Sequence, residues 1–220
     1  MERHVSLDEI SDGKLYDLND MVRADCGDCE GCSACCSGMG NTIVLDPLDI
    51  HRLCVELGKT FEEMIDEKIE LHVVDGMILP NLKMDGREES CVFLNQEGRC
   101  SIHKSRPGIC RLFPLGRYYE DRSFRYFLQI HECKKQNRTK TKVKKWIDTP
   151  DLKQNQAFIA EWHYFLKDLQ EKVEQTEDEN LRRNAALYVL NQFYVTGYAE
   201  GKFYEQFQER LETAKRELLY

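Results

Sequence analysis

The sequence contains no apolar run approaching the roughly 18 residues that would cross a bilayer. Its opening residues, MERHVSLDEISDG, contain no apolar core of the kind a secretory leader needs. The expectation from both absences is a soluble, cytoplasmic protein with no membrane partner. Basic residues are in deficit, 31 against 39 acidic ones, for a net charge of −8. A chain so charged is repelled by phosphate backbones, so no nucleic acid partner is expected. No glycine-rich loop follows an evident strand, which leaves a nucleoside without an obvious cradle. Cysteine is absent from the last 87 residues, although the chain has ten, all between Cys26 and Cys133.

A chain of 220 residues can bury a core without disulfides. In a reducing compartment, ten thiols point to metal or redox chemistry instead. The densest stretch is CGDCEGCSACC, Cys26 to Cys36, in which CxxC occurs at Cys26/Cys29, Cys29/Cys32 and Cys32/Cys35. Two intervening residues let the chain turn so that both sulfurs face one ion, a spacing shared by zinc and iron–sulfur sites. Cys35 and Cys36 are neighbours whose side chains diverge in extended chain, so they are expected to face different surroundings.

A second group follows as Cys91, Cys100 and Cys110, with Cys133 in IHEC. Cys110 stands in RPGICRLFPLG, between Arg106 and Arg111. Those arginines either offset the charge of thiolates or make ordinary ion pairs, and the sequence favours neither. His103 and His131 are near Cys100 and Cys133 but are expected to support the site rather than ligate, since thiols already exceed the needs of a tetrahedral ion. Cys54 is expected on the buried stripe of a helix, acting as a small hydrophobe.

That helix is read from DPLDIHRLCVELGKT, with Asp46 as cap, Pro47 first, Ile50, Leu53, Cys54 and Leu57 on one face, and Gly58 as stop. Thr60-Phe61-Glu62-Glu63 reads as a capping box opening another short helix. CVFLNQEGRCSIH and RYYEDRSFRYFLQI read as β-hairpins, turning at Asn95–Gly98 and at Asp121-Arg122-Ser123. KKQNRTKTKVKKWIDTP reads as a solvated linker or exposed helix. From Thr149-Pro150-Asp151 the pattern turns helical: Phe158, Trp162, Phe165, Leu166 and Leu169 form one stripe, with His163 structural. A run from Leu181 to Tyr194 follows the acidic break TEDEN, and another spans about Gly201 to Leu219.

Cys29-Glu-Gly-Cys32-Ser-Ala-Cys35-Cys36 resembles the CxxCxxCC signature of the YkgJ-type cysteine-cluster family, whose members are described as zinc- or iron-chelating domains. CVFLNQEGRCSIHKSRPGICRLFPLG is similar to that family's second block. The resemblance covers about Cys26 to Cys133 and implies Cys29, Cys32, Cys35, Cys36, Cys100 and Cys110 as metal ligands, with Cys91 and Cys133 as additions. Cys26 precedes the signature. Thiolates in this number suit either an iron–sulfur cluster or zinc, and the crowding leans slightly towards the cluster.

The expected fold class is therefore α+β. A small cysteine-rich metal-binding domain of short helices and β-hairpins (26–133) follows an N-terminal extension (1–25) and precedes a basic linker (134–148) and a helical C-terminal region (149–220). The leading reading is a cytoplasmic metal-cluster protein whose helical C-terminal region completes a core or docks a protein partner. The family also includes flagellin lysine N-methylases, which implies as an alternative an S-adenosylmethionine-dependent protein lysine N-methyltransferase. A thiol oxidoreductase or electron carrier using one CxxC pair is the third reading, although no apolar strand leads into Cys26 as such pairs usually require.

Overall fold

In the computed structural model, which describes residues 6–27, 29–30, 32–86, 89–135, 137–176 and 178–220, the elements are helices and two-stranded antiparallel sheets, an α+β fold with a helical C-terminal region. Five positions of the expected N-terminal extension (1–5), one of the basic stretch (136) and Glu177 of the TEDEN break lie outside the described residues. The chain forms two compact units: Met1–Gly40 with Met84–Ala160, and Asn41–Lys83 with Glu161–Tyr220. Their boundaries do not follow the linear division drawn from the sequence, because residues 41–83, inside the cysteine-bearing stretch, pack with the C-terminal helices.

The first unit contains α1 (Leu7–Ile10), β1 (Met21–Asp25), β4 (Met84–Asp85), β5 (Ser90–Cys91), α4 (Gly108–Leu112), β6 (Leu115–Glu120), β7 (Ser123–Leu128), β8 (Thr139–Lys142) and α5 (Val143–Ile147). The expected hairpin from Arg117 to Ile130 is β6–β7, in register from Leu115↔Leu128 to Glu120↔Ser123. Asp121 and Arg122 both have positive φ (50° and 59°), the requirement of a two-residue turn whose twist matches the strands. Gly116 is opposite Phe127, where an added Cβ would lie 2.3 Å from the ring, so only glycine accommodates the aromatic above it.

Three expectations are corrected in this unit. The hairpin expected over Cys91–Cys100 shrinks to the bridge Leu94↔Cys100 around the Asn95–Gly98 turn, while β5 pairs backwards with β4. The Asn95 side chain causes this, since its Oδ1 accepts from the Glu97 and Arg99 amides and closes a compact turn in place of a strand end. The basic stretch is not a solvated linker: its residues form β8, paired with β1, and α5. Lysines 140, 142, 144 and 145 face solvent, whereas Thr141, Val143, Trp146 and Ile147 are buried. Trp146 Nε1 donates to the Leu112 and Phe113 carbonyls, each at 3.2 Å. The third correction is to the next helix, α6 (Leu152–Glu174), which starts after the proline expected to open it. Asp148 and Asp151 take left-handed φ (44° and 49°), which keeps Pro150 out of the helix.

The second unit is built from α2 (Pro47–Leu57), α3 (Phe61–Met64), the β2–β3 hairpin (Ile69–Val74, Met77–Leu82), the later part of α6, α7 (Glu179–Leu190), a π-helical turn (Asn191–Val195) and α8 (Phe203–Leu218). The expected Asp46 cap of α2 and the expected Thr60–Glu63 capping box of α3 are both formed, Asp49 completing a reciprocal box with Asp46 that was not among the expectations, and Gly58 closes α2 at φ 62°. Cys54 departs from expectation, being half-buried rather than in the core beside Leu53. The β2–β3 hairpin, absent from the expected elements, turns on Asp75-Gly76, both at positive φ. Phe165, Phe193, Phe207 and Leu211 are fully buried around Trp162, whose ring is 4.9 Å from that of Phe193. His163 is half-buried and meets Tyr164 edge-on at 5.0 Å, within the structural part assigned to it. Tyr194 Oη donates to the Leu45 carbonyl at 3.1 Å, tying the π-turn to the start of this unit.

Arg111, only 8% exposed, bonds the Asp148 carbonyl at 2.9 Å and the Lys104 carbonyl, fastening α4 to the chain on either side. Replacing it with Met leaves both carbonyls without their charged donor, so Arg111→Met is expected to lower unfolding free energy by about 2–3 kcal/mol. Urea denaturation of the purified variant reads this directly; an unchanged midpoint would contradict the fastening role.

Candidate metal centre

The first cysteine stretch folds as successive tight turns. Gly27 and Cys29 have positive φ (69° and 59°), the Glu30 amide bonds the Gly27 carbonyl at 3.1 Å, and the Cys32 amide bonds the Cys29 carbonyl at 3.0 Å. A 3₁₀ turn at Ala34–Cys36 follows. These turns set Cys26, Cys29, Cys32 and Cys35 around one cavity of about 20 Å³, together with Cys133, Phe113, Pro114 and the Lys134–Lys135 corner. That is room for about one water or ion. The Sγ atoms of Cys26 and Cys29 are 3.5 Å apart, with both thiols free. Cys26, doubtful from its position before the signature, thus belongs to the group, and the CxxC spacing it shares with Cys29 is the signal that pointed there.

Cys35 joins this group to another. Its thiol hydrogen-bonds that of Cys36, and its charge is sensed by both Cys91 and Cys100; Cys91 also senses Cys100. Cys36 is not among the residues lining the cavity, but the expected divergence of the adjacent pair is corrected: the two cysteines lie in the 3₁₀ turn rather than in extended chain, and their thiols meet. Three sulfurs share one local geometry: Cys91, Cys100 and Cys133 accept from the backbone N–H two residues on, those of Phe93, Ile102 and Lys135. Such bonds favour the thiolate over the thiol and orient it. Cys110 is in α4, half-buried, and is not one of the cavity residues.

The two arginines divide the roles left open by the sequence. Arg111 is bound to carbonyls as described, whereas the field of Arg106 acts on Cys29, Cys35 and Cys100, favouring their ionised forms. Arg106 Nη1 is 2.8 Å from His103 Nε2, which therefore accepts, so His103 supports the arginine. His131 is exposed and outside the cavity.

Burial, followed by the hydrogen bond with Cys26, pushes the Cys29 thiol up to about 12. The bond with Cys36 and then burial raise Cys35, and burial raises Cys91, Cys100 and Cys133. Thiols so held are not the low-pKa nucleophiles of disulfide exchange. They are an array that ionises when a cation arrives to balance it. Among the described residues, no three Cys, His, Asp or Glu side chains converge closely enough to enclose an ion as they stand, so binding would draw sulfurs inward. The soft donor set fits iron or zinc. Arg106 Nε, buried and without a hydrogen-bond partner among the described residues, offers a donor that a thiolate could accept.

The family comparison decides the identity. A family model, "CxxCxxCC: Putative zinc- or iron-chelating domain", matches residues 28–151, more than half the chain. The chain belongs to the CxxCxxCC family. Membership assigns the cysteine-rich stretch to metal chelation, by zinc or iron, and makes this a metal-binding protein. The CxxCxxCC match starts just after Cys26 and ends just before α6. A search of curated proteins and a search of solved structures each found no match. No helix among the described residues is long and apolar enough to cross a membrane.

The Cys29 shift has a definite sign. A folded-state value near 12 against an ordinary 9 means that this group's contribution is fully present below about pH 9 and is lost as pH rises towards 12. Metal-free protein is accordingly expected to lose stability over that alkaline window, as read by urea midpoints at stepped pH. A flat profile would show that the thiol is not buried as described.

Proposed function

We propose that this CxxCxxCC protein holds an iron–sulfur cluster or zinc through thiolates in a reducing compartment, and that the metal organises its first unit. The observation that carries the reading is the single cavity shared by Cys26, Cys29, Cys32 and Cys35 with Cys133, which is remote from them in sequence. Cys26, Cys29, Cys32 and Cys133, with Cys35, form one ligand group. Cys91 and Cys100, joined through Cys35 to Cys36, form the other, and Cys110 is the remaining family ligand. When bound, the metal supplies positive charge that keeps these buried sulfurs ionised. The protein's own part is to present them on tight turns, donate backbone N–H groups to them, and place Arg106 among them. Ligands so far apart in sequence cannot be preassembled in an unfolded chain, so metal affinity contributes to folding.

Quantifying iron, zinc and acid-labile sulfide after oxygen-free purification distinguishes the two species and the number of sites. Cys29→Ser, Cys32→Ser, Cys35→Ser and Cys133→Ser are each expected to weaken metal retention by more than about 100-fold, beyond the 10–100-fold typical of residues that only support a ligand. Cys54→Ser is expected to retain full occupancy. A colourless, metal-free wild type that stays folded would end the proposal.

A further inference from the structure

The second unit contains a cavity of about 460 Å³ whose lining includes none of the proposed metal ligands. We propose that it is a binding site for a small, uncharged, flat aromatic molecule, and that it operates independently of the metal. Its volume is within the range of small-molecule sites, roughly 300–1,000 Å³.

The inner wall comes from three places. α2 supplies Ile50, His51 and Cys54, Phe61 comes from the start of α3, and Tyr194 and Tyr198 come from the π-turn and the segment after it. Phe61 and Tyr194 face each other with ring centroids 6.1 Å apart, and His51 meets Tyr198 edge-on at 5.9 Å while stacking on Phe203 at 5.5 Å. Flat walls of this kind select a flat occupant.

The backbone is shaped around this space. In the π-turn the consecutive aromatics Phe193 and Tyr194 both reach Trp162, at 4.9 and 6.0 Å between ring centroids, and Tyr194 also lines the cavity. Such wide turns recur at functional sites. One side chain holds the turn: Arg210 donates to the Gln192, Thr196 and Gly197 carbonyls at 2.9, 2.5 and 2.6 Å and lies 3.9 Å over the Tyr198 ring.

Charge sorts the ligand class. Burial, followed by the neighbouring Arg52, lowers His51 below its ordinary value, against an opposing effect of Glu200, so the imidazole is neutral at pH 7. Burial keeps the Cys54 thiol protonated. The charged lining residues are Lys59 and Glu62, of opposite sign; Glu62 is exposed and Lys59 is ion-paired with Glu67. Lys59 and Glu62 offset each other at the lining, so an ion of either sign meets no net counter-charge, whereas an uncharged ring meets aromatic faces and two neutral polar groups, the imidazole and the thiol.

The probe is N-phenyl-1-naphthylamine, neutral and fluorescent in apolar surroundings, titrated into full-length, metal-loaded protein. Saturable one-to-one binding is expected. Cys54→Trp, which fills the cavity, is expected to weaken it at least tenfold while metal content stays at the wild-type level. If that variant does not fold, wild-type protein decides: bound probe should slow N-ethylmaleimide modification of Cys54, followed by mass spectrometry, at least tenfold. Unsaturable binding, undiminished binding by a folded Cys54→Trp, unprotected Cys54, or tighter binding of the anionic 1-anilinonaphthalene-8-sulfonate would each overturn the proposal. Because metal content is read separately, failure of this site leaves the metal reading intact, and the reverse holds too.

Discussion

The pairing of Asp25 with Thr139 is the contact on which the cavity shared by Cys26 and Cys133 depends. Cys26 follows directly from β1, and Cys133 lies a few residues before β8, so this antiparallel ladder brings two thiols together that are more than a hundred residues apart. The ladder is short and bulged between Val22 and Asp25. It is held by buried Val22, Ala24 and Thr141, and by the Val143 and Lys144 amides bonding the Asp20 and Leu18 carbonyls at 3.0 and 2.9 Å. Lys135 Nζ adds a bond to the Glu30 carbonyl at 3.0 Å across the same gap. The cysteine-rich turns have little apolar surface of their own to bury, so their placement is inherited from this neighbouring frame.

Electrostatics gives the same region its chemical character. The chain is acidic as a whole, yet cations outnumber acids beside the thiols: Arg106 acts on the sulfurs, and Lys134 and Lys135 line the cavity with Glu132. Buried thiols without a compensating cation stay protonated, and positive side chains together with backbone N–H donors reduce the cost of ionising them. Arg111 is one residue from Cys110 and carries the same charge as Arg106, but its guanidinium is committed to two carbonyls. Identical residue types in one short motif therefore do different things, one acting on the thiols and the other joining segments.

Legibility varied with the range of the forces involved. The caps of α2 and α3 and the turn of β6–β7 were readable because each depends on a few consecutive residues. Asp75-Gly76 between apolar runs carried the same sort of local signal for β2–β3, and it was the physics of the turn, rather than distant packing, that made it available. The Cys91–Cys100 segment misled because alternation suggests strands, while Asn95 closes a turn with its own side chain. The lysine-rich stretch misled because the exposed Lys140, Lys142, Lys144 and Lys145 hid the Thr141, Val143, Trp146 and Ile147 positions that anchor it. Pro150 suggested a helix start, but left-handed Asp148 and Asp151 flank it.

The sequence by itself determined the donor chemistry: soft sulfur ligands at CxxC spacing, a second cysteine block with its arginines, and membership of a chelating family. Those properties are covalent or local, and a few bonds of chain carry them. Tertiary structure alone decided that Cys26 and Cys133 share a cavity, that Cys35 links two groups of thiols, and that Cys54 faces a separate aromatic cavity. It also decided that residues 41–83 leave the other cysteines and pack with the C-terminal helices. Each of these rests on strand pairing or side-chain burial between segments far apart in the chain, where many pairings are compatible with the same local pattern and only the sum of the packing selects one.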